Sequence, residues 1–197
     1  MKNYLSNFFG KKENAISEKM LFEAQLSLEN AMTDKVLLLN LSKQHALEKA
    51  NAYLQEVLEV EEEAEIPLKE ELDRLQRFVE LFAGSSPQPI FTKMQYTVDD
   101  EKPFFIHPFI LYPLVQNALH NGYNTMQKLP MKVRVTQEGN TLKMEVSNRV
   151  NHYLESQENI PLIDYYKSRL KVLYPEKHNL FINSNSNLFK CTLIVTK

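Results

Sequence analysis

The side chains best suited to acid–base or metal chemistry are the five histidines of this 197-residue chain. Four of them, His107, His120, His152 and His178, have neither HxxxH nor HxH spacing. That scatter does not predict a metal site. The single cysteine, Cys191, excludes an internal disulfide and a cysteine-based zinc cage. Because it lies in a strand-like apolar segment, we expect it to be a small buried residue.

Glycines, which phosphate-binding loops require, are rare in this sequence. There are four, Gly10, Gly84, Gly122 and Gly139. Backbone N–H groups reach phosphate oxygens most readily where glycines leave the backbone uncovered. Neither GxGxxG nor a Walker sequence can be written around these four positions, so a standard glycine-loop nucleotide site is excluded.

Charge and hydropathy exclude further classes. Lys and Arg number 23 against 25 Asp and Glu, a net charge of −2, which gives no basic excess for a nucleic-acid partner. No apolar run approaches the roughly 20 residues that span a bilayer. The N-terminus has no apolar signal core. We therefore expect a cytoplasmic protein without direct membrane insertion.

The N-terminal half has helical periodicity. Apolar residues at three- and four-residue steps predict a first helix over residues 17–40. Ser42 is the expected N-cap of a second helix whose stripe runs from Leu47 to Leu58. Pro67 suits the first position of a third helix that reaches Phe82. Two or three such helices leave apolar faces without partners, which favours self-association as a four-helix bundle.

The C-terminal half has an α+β pattern. An extended stretch over 90–98 precedes a predicted helix over 109–121, which Gly122 should end in the usual left-handed conformation. Alternating segments predict hairpins over 132–146 and 180–195, with a helix over 162–173 between them. This order predicts a mixed sheet covered on one face by two helices. The turn-rich residues 83–87 divide a helical region, 14–84, from a second domain, 85–197.

Three segments resemble LytS-type sensor histidine kinases. Residues 113–122, PLVQNALHNG, are similar to the family's PLVENAIKHG box, and IPLKEEL at 66–72 resembles VPLEEEL. RLKVLYP at 169–175 resembles RLELLYP, and the three segments follow the family's order. The resemblance implies a helical dimerisation and phosphotransfer region followed by a Bergerat-type (GHKL) ATP-binding domain. It also implies ATP and Mg²⁺ as cofactors and a response regulator as a candidate partner.

The position of the family's phosphoacceptor histidine is occupied here by Glu29, in the segment AQLSLENAM at 24–32. A carboxylate cannot form the phosphoimidazole on which phosphorelay depends. His45, the other histidine of the helical half, lies well downstream, and we expect it to be a solvent-facing helix residue.

The family's N-box has an activating acid followed by a magnesium-binding asparagine. Gln116 replaces the acid and is neutral, so it cannot act as a base. Asn117 matches the magnesium ligand and would hold Mg²⁺ if ATP binds. An equally open alternative is that Asn117 hydrogen-bonds nearby backbone. The resemblance also places Asn121 at the ATP site.

Two further family elements are altered. Ser147 or Asn148 stands in place of the aspartate that binds the adenine amine, and no glycine follows. The lid motif GIGL corresponds to NIPLID at 159–164, where Pro161 removes a backbone N–H donor.

These substitutions favour a degenerate histidine kinase core that acts as a dimerising regulatory module. We expect it to pair, through its N-terminal helices, with a second copy or with a related active kinase that could recruit it to the membrane. Two alternatives stay open. One is an active kinase that uses unusual residues, and the other is a pseudokinase that binds a nucleotide as a structural switch.

Overall fold

The computed structural model describes residues 33–60, 64–99 and 101–197. Helices occupy most of the first half of this part of the chain: α1 (Lys35–Lys43), α2 (Leu47–Leu58) and α3 (Leu68–Ser85). A short strand, β1 (Ile66–Pro67), leads into α3 and pairs antiparallel with β3 (Phe105–Ile106). Within these ranges, none of the helices combines the length and apolar character that crossing a bilayer requires.

A mixed five-stranded sheet forms the second half. The strands of the sheet and the helices between them are, in chain order, β2 (Thr92–Thr97), α4 (Tyr112–Asn121), β4 (Met131–Glu138), β5 (Thr141–Arg149), α5 (Ile160–Leu173), β6 (His178–Ser184) and β7 (Leu188–Thr196). The strand order is β2-β4-β5-β7-β6, with β2 parallel to β4 and every other pairing antiparallel. The predicted α+β class and both predicted hairpins are confirmed.

The start of the first helix differs from the prediction. Helix α1 begins at Lys35, because the Asp34 carboxylate accepts hydrogen bonds from the backbone N–H groups of Val36 and Leu37 and caps the helix. Thr33 and Asp34 are therefore not helical, although the apolar periodicity runs through them. The remainder of the predicted helix, 17–32, lies outside the described residues.

The turn between α1 and α2 also corrects the prediction. Ser42 belongs to the last turn of α1 and caps nothing, and Ala46 takes the N-cap position of α2 without a side-chain hydrogen bond. Between them His45 has a φ of 55°, so it is an exposed turn residue and not a helix residue. Pro67 likewise precedes α3 instead of starting it, because it pairs in β1.

Two predicted helix boundaries in the second half are also wrong. Helix α4 starts at Tyr112 and not at residue 109, since Phe109 has a φ of 58° that no right-handed helix allows. Helix α5 begins at Ile160, with the Asn159 side chain accepting from the Leu162 N–H. Gly122 does end α4, but its φ of −75° is extended and not left-handed.

The helical half and the sheet are bound to each other. The buried apolar residues of α1, α2 and α3 form one cluster with those of α4 and the sheet. The backbone N–H of Leu68 in α3 donates to the Phe104 carbonyl at 2.7 Å, next to β3. Cys191 is buried as predicted, and burial raises the pKa of its thiol to about 12.

Candidate functional site

The loop that precedes α4 is positioned by a buried carboxylate. Glu71 of α3 is fully buried, and its two oxygens accept from the N–H groups of Phe109 at 3.0 Å and Leu111 at 3.2 Å. Burial raises the pKa of Glu71 to about 7, although these two donors and Arg169 oppose the rise. The hydrogen bonds stabilise the left-handed backbone at Phe109 and so determine where α4 begins.

Helix α5 supports the same loop from another side. Arg169 is buried and its Nη2 donates to the Pro108 carbonyl at 2.6 Å, while the Tyr166 hydroxyl donates to the Ile110 carbonyl at 2.8 Å. At the start of the loop, the His107 N–H donates to the Tyr174 hydroxyl at 3.0 Å. Side chains from two helices therefore set the direction in which the polar residues of α4 point.

Asn117, the residue expected to bind magnesium, is buried and contacts the segment that follows β5. Its Oδ1 accepts from the Asn159 N–H at 2.7 Å, and its Nδ2 donates to the Gln157 carbonyl at 3.1 Å. Asn121 Nδ2 donates to the same carbonyl at 3.3 Å and lies 3.4 Å from Asn117 Oδ1. Both polar atoms of Asn117 are thus used by protein groups.

Gln157 closes the segment that follows β5 into a loop, through two hydrogen bonds with the Asn151 backbone. Gln157 Oε1 accepts from the Asn151 N–H at 2.8 Å, and its Nε2 donates to the Asn151 carbonyl at 2.9 Å. These bonds turn residues 151–157 into a loop whose end is bound to α4. It leads into residues 159–164, which the resemblance matches to the lid motif, and residues 151–159 are called the lid segment below.

Gln116 is on another side of α4, toward the start of α1. Its Nε2 donates to Asp34 Oδ2 at 3.1 Å, and His120 Nε2 lies 2.9 Å from the same oxygen. Burial raises the pKa of Asp34, but the His120 interaction and the Leu37 and Gln116 donors outweigh it, so the pKa lies below its ordinary value. The Gln116 side chain donates a hydrogen bond here, whereas a general base must accept a proton.

Asn148, one of the two candidates for adenine recognition, is buried at the end of β5. Its Nδ2 donates to the Arg149 carbonyl at 2.9 Å, and its Oδ1 has no hydrogen-bond partner among the described residues. The neighbouring Gly122 has no room for a side chain, because a Cβ would lie 2.5 Å from the Ala118 carbonyl oxygen and 2.7 Å from Asn148 Nδ2. Gly122 is therefore required for close packing and not for its conformation.

The structure brings Asn117, Asn121 and the 157–159 backbone together, and places Gln116 on another side of the helix. Ser147 is on the sheet face opposite to that of Asn148, because adjacent residues of a strand alternate. Glu29 lies outside the described residues. Within the described ranges, no three His, Cys, Asp or Glu side chains form a metal-binding group. The groups bonded to Asn117 are amides, a set that does not fit a resident Mg²⁺, which prefers carboxylates and phosphate oxygens.

Sequence reasoning missed Asp34 and Glu71. Asp34 could have been found as an N-cap, since Asp before an apolar run is a helix-start signal. Glu71 lies in an acidic, exposed-looking stretch of α3, and nothing local distinguishes it from Glu70. Its burial follows only from how α3 packs on the loop before α4.

The comparison with solved structures identifies the fold. The chain is similar to the Acinetobacter baumannii histidine kinase AdeS, at 10% identity, covering 91% of this chain and 95% of that chain with a TM-score of 0.50. It also matches the cytoplasmic segment of histidine kinase QseC, at 14% identity over 84% of this chain and 98% of that one with a TM-score of 0.48. No family model and no curated protein sequence matches it. At these identities the AdeS likeness establishes a histidine-kinase-type fold and nothing finer.

Proposed function

We propose that this chain is a degenerate histidine kinase core in two-component signalling, which regulates a partner by binding and does not transfer phosphoryl groups. The AdeS-like fold and the three LytS-like segments support the signalling class. The environment of the N-box residues supports the loss of chemistry.

The observation that carries this proposal is the hydrogen bonding of Asn117. For an N-box asparagine to bind magnesium, its Oδ1 must face the metal. Here that oxygen accepts from Asn159, and the amide nitrogen donates to Gln157. Mg²⁺ bound through Oδ1 would have to displace the Asn159 N–H or share the oxygen with it, next to a segment that the Gln157 contact holds against α4.

The position of Gln116 supports the same conclusion. An activating base in phosphoryl transfer needs a lone pair near the attacking group. The Gln116 amide instead joins Asp34 and His120 in a hydrogen-bonded group between α4 and the start of α1. It stabilises the junction of the two halves of the chain.

Exposed apolar residues on the first two helices support pairing through this region. Val36 and Leu39 on α1 are 42% and 53% exposed, and Leu47 and Leu58 on α2 are 66% and 79% exposed. Such residues on adjacent helices favour a helical partner. We propose that the partner is a second copy or a related histidine kinase, with a response regulator as a further candidate.

Calorimetric titration with ATP and Mg²⁺, combined with a radiolabelled phosphotransfer assay, tests the loss of chemistry. We expect neither saturable heat nor labelled protein. Saturable binding that is lost in Asn117→Ala but kept in the matched control Asn183→Ala, an exposed strand residue, would instead establish a nucleotide switch. Label on the chain would establish an active kinase.

Sedimentation velocity of the full chain tests the pairing. We expect a dimer that Leu39→Glu disrupts and that Phe181→Glu, a comparably exposed residue on the sheet, leaves intact. A protein that stays monomeric at high concentration, and that does not bind a purified histidine kinase of the same type, would contradict the proposed pairing.

A further inference from the structure

The sheet has a second face, formed by the side chains that alternate with the buried ones. The strand registers arrange this face in rows that cross the five strands. One row consists of Lys93, Lys132, Ser147, Lys190 and Asn183. The next consists of Gln95, Arg134, Glu145, Thr192 and Phe181, and a third of Thr97, Thr136, Lys143, Ile194 and Asn179.

The charges on this face are mostly positive, although the whole chain has a net charge of −2. Lys93, Lys132 and Arg134 are exposed and are spaced as neighbours on β2 and β4. In the three rows one carboxylate, Glu145, faces these cations, and it is shared by Lys190 and Lys143. The hydrogen bond from Lys190 holds the pKa of Glu145 below its ordinary value.

One end of the face is apolar. Beyond the first row, Arg149 pairs with Leu188, and a groove of about 370 Å³ lies between Leu188 and Leu129. Arg149 Nη1 lies 3.3 Å from the Met126 sulfur, which brings the 123–130 loop to the same edge. Tyr123, Met126, Leu129 and Leu188 are all between 38% and 46% exposed.

We propose that this sheet face, named the basic face here, docks on an anionic lipid bilayer. A broad array of Lys and Arg is attracted to anionic headgroups, and exposed apolar side chains at its margin can enter the interfacial region. Single-stranded nucleic acid is the less suitable polyanion, because it binds by stacking bases on several aromatic side chains. In the three rows the one aromatic residue is Phe181.

This inference does not depend on the proposed loss of phosphotransfer. It also differs from recruitment by a partner, because the chain's own surface makes the contact. The basic face and the exposed apolar residues of α1 and α2 belong to different elements, so lipid binding and helical pairing can be broken by separate substitutions.

Co-sedimentation of the full chain with lipid vesicles tests the proposal. The vesicles are phosphatidylcholine alone, or phosphatidylcholine with about 30 mol% phosphatidylglycerol. We expect binding to the anionic vesicles only, and weaker binding when NaCl rises from about 0.1 to about 0.5 M. The double substitution Lys132→Glu and Arg134→Glu should weaken it by at least about tenfold.

The control carries the same change in net charge on helices α3 and α5, as Lys69→Glu with Lys171→Glu, two exposed positions. It should bind as the wild type does. Equal binding to both vesicle types, or equal losses in the two double variants, would overturn the proposal. So would binding to a single-stranded oligonucleotide that is tighter than binding to the anionic vesicles at the same salt concentration.

Discussion

The two ends of α4 are held in place by different chemistry. Before the helix, the loop at 107–111 is bound by Glu71, Arg169 and Tyr166, all three buried. In the second half of the helix, the side-chain amides of Asn117 and Asn121 bind the lid segment, which follows β5. The first contact is made by buried ionisable side chains, and the second by the neutral amide of Asn117 with the partly exposed residues 157 and 159.

This difference separates positioning from chemistry. When a buried carboxylate is removed, the N–H groups that donate to it are left without partners. The loss of unfolding free energy is therefore large. A neutral amide whose partners are partly exposed can be replaced at lower cost, because those partners can still reach water. The loop before α4 can therefore maintain the fold, while the contacts of Asn117 with residues 157 and 159 can change without unfolding the domain.

The largest expected effect is that of Glu71→Ala. It leaves the N–H groups of Phe109 and Leu111 and the Arg169 charge without their carboxylate, so we expect a loss of about 3 to 5 kcal/mol in unfolding free energy. Urea denaturation measures it. The matched control is Glu70→Ala, since Glu70 is exposed and forms a surface pair with Arg74, and it should cost about 0.5 kcal/mol or less.

The comparison between the two ends of α4 fails if these two variants lose similar stability. That result would mean that the pre-helix loop is supported mainly by apolar packing of Phe109 and Leu111, and that the carboxylate adds little.

A pH titration of stability should show the second-largest effect. Glu71 has a pKa raised to about 7 in the folded protein, so the folded state holds this proton more tightly than the unfolded state does. The stabilisation is complete below the ordinary pKa of about 4.5 and is lost as the pH rises to 7, by up to about 3 kcal/mol. Glu71→Gln should remove this slope while the separate dependence from Asp34, whose pKa is lowered, stays, and an unchanged slope would refute the assignment to Glu71.

The next effect is that of Gly122→Ala. This substitution tests the steric packing at the C-terminal end of α4 and not its hydrogen bonds. The new Cβ would meet the Ala118 carbonyl oxygen and Asn148 Nδ2 at 2.5 and 2.7 Å, so α4 or β5 must shift. We expect a loss of about 1 to 3 kcal/mol by thermal denaturation. In Gly84→Ala, which meets nothing within 4 Å, no such loss should occur. A neutral Gly122→Ala would show that this end adapts freely.

The spacing of apolar residues and the positions of turn-forming residues predicted most of the fold. The alternation at 132–146 and 180–195 predicted both hairpins, because each strand has one buried and one exposed face. The helix starts were less predictable. Asp34 interrupts a continuous apolar pattern with a cap, and Phe109 takes a left-handed backbone whose stabilising groups, Glu71 and Arg169, are distant in sequence.

The ATP site that the resemblance implies stays a prediction. The resemblance identified Asn117 and Asn121, which do share a carbonyl partner in the lid segment. The role of Gln116 could not be foreseen, because its partner Asp34 is 82 residues away and depends on how α1 packs against α4. The sequence offers Ser147 and Asn148 as alternatives for adenine recognition, yet strand alternation puts them on opposite faces.

The smallest expected effect is that of Asn117→Ala, and it is the most direct test of the lid end. The substitution removes the bonds to the Gln157 carbonyl and from the Asn159 N–H and the long contact with Asn121, but these partners are partly exposed and can bond water instead, so we expect a loss of about 1 to 2 kcal/mol. Global stability alone does not distinguish this from ordinary packing loss, whereas hydrogen exchange does. The Asn159 amide should exchange at least about tenfold faster, and the Phe109 amide, bound by Glu71, should stay as in the wild type. Asn121→Ala removes only the longer contacts and should change the Asn159 amide less. If both amides accelerated together, the two ends of α4 would open as one unit, and release of the lid would then require disturbing the loop that Glu71 holds.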